Sequence, residues 1–319
     1  MRRLFFLCPD DNTPYGGIKI IYRHVEVLND LGFKAFVFHE TPGFKITWFK
    51  TNAPLSYPIK NWFFQSQPPF NQNDLVVLPE YNLLQTYPYY GRFPYLVFNQ
   101  NVYTTFNHVK IQKIPFNEYP PLKEYLKSEG IITVSDDNLH VLKALYPSKP
   151  VDRVILSIEN FHFSNQKEKI IAFSLAKEPK QAIAVISLLS EKLKDWTFVP
   201  LVNMDEATVS QTLQKAALFL NFTHPEGFGL PAAEALKSGA LVIGYDGRAS
   251  AEYMKAPYAT LVSYGDLITF RDAILDAAHL FENDRVKYNE ISKMGSDALS
   301  YYNNHNERES IKAAYSKYI

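Results

Sequence analysis

The segment Leu218-Phe219-Leu220-Asn221-Phe222-Thr223-His224-Pro225-Glu226-Gly227-Phe228-Gly229-Leu230-Pro231-Ala232-Ala233-Glu234 decides how this chain is read. An apolar run, a glycine-containing turn and an alanine-rich stretch predict a strand over 218–222, a tight loop and then a helix. Pro231 is well placed as the first helical residue, where a missing N–H leaves nothing unbonded. Gly227 and Gly229 let the backbone approach a ligand closely, and amides at a helix start favour an anion such as a diphosphate. Glu226 precedes the helix and Glu234 lies in its first turn, so the two carboxylates can face one cleft, and a carboxylate can accept hydrogen bonds from both hydroxyls of a diol. Each glutamate taken alone is equally explained by the favour that the helix dipole shows to acidic side chains near a helix start.

Working outward, short apolar runs alternate with amphipathic stretches in both halves. Strands are expected at 170–174, 197–201, 241–244 and 260–262, with helices at 179–193 and 209–216. The first half gives strands at 3–8, 35–38, 74–79, 95–99, 130–135 and 151–158, with helices at 17–31 and 136–145. In the first helix Ile18, Ile21, Val25 and Leu28 form one stripe, Lys19, Arg23, Glu26 and Asn29 face away, and Gly32 supplies the stop. Such alternation predicts an α/β protein of two Rossmann-like, doubly wound parallel-sheet domains facing across a cleft. The domains are placed at 1–162 and 163–300, with a last helix over 301–319 that can cross back to the first. The stretch 41–69 lacks periodicity and is read as a surface excursion. Its aromatic residues Trp48, Phe49, Trp62, Phe63 and Phe64, with the nearby Phe70, are either a stacking wall for an acceptor or simple loop packing.

Bulk composition narrows the field. A chain of 319 residues, 46% of them hydrophobic, can bury two cores. Lysine plus arginine and aspartate plus glutamate stand at 33 each, so no global field draws the chain to nucleic acid. The single cysteine, Cys8, fits a small buried hydrophobe in a reducing, cytoplasmic setting. The apolar stretch 4–8 ends too early for an export core, and no run nears the roughly 20 residues of a membrane span. The eight histidines show no metal-ligand spacing.

Glu226, seven residues and then Glu234 resembles the signature of the retaining glycosyltransferases of the glycosyltransferase-B fold, the glycosyltransferase family 4-like proteins also called glycosyl transferases group 1. The first glycine loop and helix, the Phe98-Asn99-Gln100-Asn101-Val102-Tyr103 loop, the 131–138 segment and the stretch Leu241 to Gly247 with Ala251-Glu252-Tyr253 are similar to further parts of that family. The resemblance implies that Glu234 holds the donor ribose, that Glu226 lies beside the transferred sugar, and that Gly227, Phe228, Gly229 and Leu230 meet the sugar or diphosphate, with Gly16 and Gly17 approaching from the other domain. It also implies an arginine and a lysine after the first strand of the second domain; here Lys177 and Lys180 stand there, with Ala176 in the arginine's place. Those lysines are otherwise read as solvated charge at a helix start. Asn99, Gln100, Asn101 and Tyr103 are the acceptor-side candidates, although a loop stabilised by its own side chains would look the same. His224 touches the sugar or caps the turn.

The expected activity is transfer of a sugar from a nucleoside-diphosphate sugar, UDP- or GDP-linked, to a hydroxyl of a glycan, lipid-linked or small-molecule acceptor. It proceeds with retention, without a metal or other cofactor, and is compatible with peripheral membrane contact. Two alternatives stand beside it: a catalytically degenerate nucleotide-sugar binding or scaffold protein, motivated by Ala176, and a nucleic-acid base glycosyltransferase.

Overall fold

Runs that are apolar on both faces become strands only where helices cover both sides of the sheet, and that is how this chain is built. The computed structural model describes residues 2–60, 66–107, 115, 120–174 and 178–319. These form two compact units, one of residues 1–156 with 305–319 and the other of residues 157–304.

The first unit contains β1 (Arg3–Leu7), α1 (Gly16–Asp30), β2 (Lys34–Phe38), β3 (Leu55–Ser56), β4 (Ile59–Lys60), β5 (Ser66–Gln67), β6 (Leu75–Pro79), α2 (Leu83–Tyr90), β7 (Tyr95–Asn99), α3 (Pro120–Lys127), β8 (Gly130–Thr133), α4 (Asp136–Leu145) and β9 (Val151–Arg153). Among the described residues its main sheet has seven parallel strands in the order β3-β2-β1-β6-β7-β8-β9, and β4 and β5 pair separately as an antiparallel ribbon. Every residue of β6 and of β7 is buried.

The stripe expected on α1 is buried, but so are Ile20, Tyr22, His24 and Val27, because two other segments cover the helix. The 41–56 excursion lies along one side, with Phe49 edge-on to Tyr22 at 5.5 Å and Thr51 and the Asn52 amide donating to Glu26. The chain terminus lies along another, with Tyr315 at 6.3 Å from His24 and Glu307 2.8 Å from Arg23. Burial pushes the His24 pKa down to about 3, so the ring is neutral. Helix α1 ends where Gly32 adopts φ +87°, as expected of a left-handed stop.

Differences from the sequence reading have local causes. The 151–158 run is a strand only to Arg153; beyond it the backbone is bonded by other groups, Ile155 N–H donating to Ser310 Oγ and Ile158 N–H to the Tyr302 carbonyl. The 41–69 excursion adds the two-residue edge strand β3, too short for any period to show. Phe70 belongs to the core, in contact with Phe38, Phe93 and Tyr90, and the half-buried Trp48 packs on Phe49 at 4.5 Å. Trp62, Phe63 and Phe64 lie outside the described residues.

The second unit contains β10 (Glu168–Phe173), α5 (Pro179–Leu189), β11 (Thr197–Pro200), α6 (Glu206–Lys215), β12 (Ala216–Asn221), α7 (Leu230–Ser238), β13 (Leu241–Gly244), β14 (Ala259–Leu261), α8 (Leu267–Asn283) and α9 (Arg285–Ala298). Its parallel sheet runs β11-β10-β12-β13-β14. Strand order reverses between β10 and β12, so the chain leaves these neighbours in opposite directions and opens a crevice at their C-terminal ends, the usual ligand position in such sheets. A final helix, α10 (Asn304–Tyr315), follows. Among the described residues no helix is long and apolar enough to cross a membrane.

Candidate functional site

The fully buried β12 runs out at the strand-order reversal into the 222–229 turn that the sequence singled out. Cross-strand bonds hold the turn's base. The Asn221 side-chain amide donates to the Tyr245 carbonyl at 2.7 Å, and Thr223 Oγ1 donates to Asn221 Oδ1 at 2.7 Å. The Glu226 N–H donates to the Gly247 carbonyl at 2.8 Å, and Glu226 and Arg248 form an isolated parallel bridge. The Gly227 N–H donates back to Glu226 Oε1 at 3.0 Å, which orients that half-buried carboxylate.

The turn closes at Gly229, whose φ of +87° explains the glycine, as does space: a Cβ there would lie 2.8 Å from the Tyr253 hydroxyl. That hydroxyl contacts both the Phe228 and Gly229 carbonyls, at 3.0 and 2.6 Å. Phe228 packs between Tyr253 and Tyr302, so its ring holds the loop from inside. Helix α7 begins at Leu230 with Pro231 in its first turn and stops at Gly239, φ +91°. Glu234, expected in the first turn of this helix, is its fifth residue and so lies in the second turn, because the helix begins at Leu230; it is 8% exposed.

Beside the turn lies a polar and aromatic cluster that sequence reasoning missed. Glu178, at φ +53° before α5, accepts from the Tyr264 hydroxyl at 2.5 Å and from Gln181 Nε2 at 2.9 Å, and the Tyr264 bond holds its carboxyl below the usual range. Tyr245 donates to Gln181 Oε1. The His224 ring lies 4.9 Å from that of Tyr264, and its Nδ1 is 3.5 Å from Asp246 Oδ1. Lys180 is exposed in the first turn of α5, while Lys177 and Ala176 lie outside the described residues. No motif marks these residues in sequence; only their shared position at strand ends would have pointed to them.

In the first unit, strand order reverses between β1 and β6. Gly16 and Gly17 open α1 after β1, and Gln100 Nε2 donates to the Gly17 carbonyl at 3.0 Å. Of the four acceptor-side candidates, Gln100 and Tyr103 are half-buried, Tyr103 donating to Asp137 at 2.7 Å. Asn101 caps its own turn by accepting from the Tyr103 N–H. Asn99 is wholly buried and donates to Thr105 Oγ1 and the Tyr125 hydroxyl.

Glu80, which no motif marked, lies under this loop and accepts from the Asn101 N–H at 3.0 Å. Desolvation pushes its pKa up from 4.5 to about 7. The folded state therefore binds more protons than the unfolded chain between those values. The stability this gives is full below about 4.5 and is lost as pH rises through 7. At roughly 1.4 kcal/mol per pKa unit, the loss amounts to ~3 kcal/mol. Glu80→Gln keeps an acceptor for Asn101, so denaturant midpoints measured from pH 5 to pH 8 should fall more steeply in the parent protein than in the variant; equal slopes would refute the assignment.

No family model matches the chain. An alpha-1,6-glucosyltransferase of Actinobacillus pleuropneumoniae serotype 7 (strain AP76) is 28% identical over 191 residues, covering 56% of this chain and 54% of that protein. The chain thus spans little more than half the length of that relative. Among solved structures, sucrose-phosphate synthase from Thermosynechococcus elongatus is similar with a TM-score of 0.70 at 11% identity, over 99% of each chain. HepE of Anabaena, in complex with UDP and glucose, gives a TM-score of 0.67 at 12% identity over 99% of this chain and 100% of that one. The fold is accordingly of the glycosyltransferase-B class, with two Rossmann-like parallel-sheet units.

Proposed function

We propose that the chain is a retaining, metal-independent glycosyltransferase that moves a sugar from a nucleoside-diphosphate sugar to a carbohydrate hydroxyl. The observation that carries this reading is the glycine turn from Glu226 to Gly229, held at the strand-order reversal and leading into the helix that bears the buried Glu234. The similarity to an alpha-1,6-glucosyltransferase and the UDP and glucose bound to HepE support it, and favour UDP over GDP as the nucleotide.

In this reading Glu234 accepts from the ribose hydroxyls and the start of α7 faces the diphosphate. The bond from the anomeric carbon to the diphosphate oxygen breaks, and its electron pair stays on that oxygen. The acceptor oxygen bonds the same face of the carbon, and its proton passes to the departing diphosphate. Glu226 stabilises the positive charge that develops on the sugar, and Lys180, with Lys177 by sequence position, meets the negative charge on the leaving group. Gln100 and Tyr103 remain the acceptor-side candidates in the first unit.

Calorimetry with UDP and GDP tests the donor half. One of them should bind the parent protein, and Glu234→Ala should weaken it by about tenfold or more, the scale of a lost charge-assisted hydrogen-bond pair. Undiminished affinity in Glu234→Ala would remove Glu234 from the donor site.

A further inference from the structure

A departing diphosphate carries several negative charges, and the arginine that the family resemblance leads one to expect after β10 is replaced by Ala176. Loops leave the C-terminal edge of the 157–304 sheet after each of its strands, and among their described residues Arg248 is the single arginine. It is exposed, and its backbone is bridged to Glu226, the first residue of the glycine turn.

The backbone at Arg248 is unusual. At φ +66° and ψ −70°, with the Ala249 N–H donating to the Gly247 carbonyl at 2.9 Å, it is the centre of a γ-turn of the rare positive-φ kind. An L-residue keeps that conformation only where its surroundings enforce it. Here the Arg248 N–H donates to Asp246 Oδ1 at 3.0 Å, and Ser250 Oγ donates to the Asp246 carbonyl at 2.8 Å. Gly247 is confined as well, since a Cβ there would lie 2.5 Å from Ser250 Oγ and 3.2 Å from Glu226 Cβ. Glycine would fill position 248 without strain, so the turn alone does not account for an arginine there.

We propose that Arg248 supplies the guanidinium that grips the leaving diphosphate from the β13 side of the site. The inference rests on the transferase reading above. Arginine's fixed fork of N–H donors matches phosphate oxygens in pairs, which a lysine cannot reproduce. As the anomeric carbon–oxygen bond breaks and its electron pair moves onto the diphosphate, those donors strengthen their hold on the accumulating charge.

The test compares UDP, GDP, UMP and GMP by titration calorimetry on the parent protein, Arg248→Gly and Arg248→Lys. The parent should bind one nucleoside diphosphate more tightly than its monophosphate. Arg248→Gly should lower that preference by about tenfold while the melting temperature holds or rises, because glycine relieves the turn, and Arg248→Lys should recover only part of it. An Arg248→Gly protein that keeps the parent's preference overturns the assignment. If the parent binds none of the four nucleotides, the transferase reading itself falls, and the parent measurement alone shows which of the two has failed.

Discussion

Replacing Gly244 with alanine should destabilise the 157–304 unit by several kcal/mol, on the order of 3–5. Gly244 ends β13 at φ +142°, a region closed to side chains, and an added Cβ would lie 2.1 Å from the Asn221 carbonyl oxygen and 2.8 Å from the Phe270 ring. The carbonyl cannot turn aside cheaply, because it accepts from the Tyr245 N–H at 2.9 Å in the β12–β13 ladder. Phe270 is wholly buried and offers no room either. Gly32 is the control: its φ is +87° but an added Cβ meets nothing within 4 Å, so Gly32→Ala should cost only about 1 kcal/mol. Denaturant unfolding of the two variants measures the difference, and equal losses would refute the packing described at the end of β12.

Glu226→Gln should lower turnover by roughly 10²- to 10³-fold while leaving affinity for the nucleoside diphosphate within a few-fold of the parent. The amide oxygen of glutamine can still accept from the Gly227 N–H, which bonds Glu226 Oε1 at 3.0 Å, so the turn keeps its shape and only the charge is lost. A charge that acts on the developing sugar cation contributes in the transition state and little in the ground state, hence the split between turnover and binding. Turnover and affinity falling together would make Glu226 a binding residue, and unchanged turnover would remove it from the reaction.

The parts of the fold that were legible in sequence are those whose signal is local. Leu75 to Pro79 and Ala216 to Leu220 are unbroken apolar runs and became central strands. Pro231 and Gly239 bound α7 as their backbone chemistry requires, and Gly32 stops α1. What the sequence did not show depends on distant partners. Nothing near Asn99 says that Thr105 and Tyr125 take its amide protons, and nothing near Val154 says that the strand ends because Ser310 bonds the backbone beyond it. Helix α6 begins at Glu206, earlier than its apolar period, because Asp205 caps it by accepting from Thr208.

The site shows the same division. The glycine turn and Glu234 announce themselves through spacing, whereas Glu178, Tyr264 and Arg248 belong to three different loops joined only by sheet order. Arg248 is a partial exception, since its neighbour Gly247 ends the stretch already matched to the family, but its positive φ exists only in the folded backbone.

The most direct test of the central claim is release of free nucleoside diphosphate from a panel of UDP- and GDP-linked sugars, with oligosaccharide acceptors supplied, for the parent protein beside Glu226→Gln. The account predicts that one donor is turned over by the parent and that this turnover is lost in the variant. A parent protein that binds a donor and never turns it over would mean a nucleotide-sugar binding protein instead, and the proposed transferase would be contradicted.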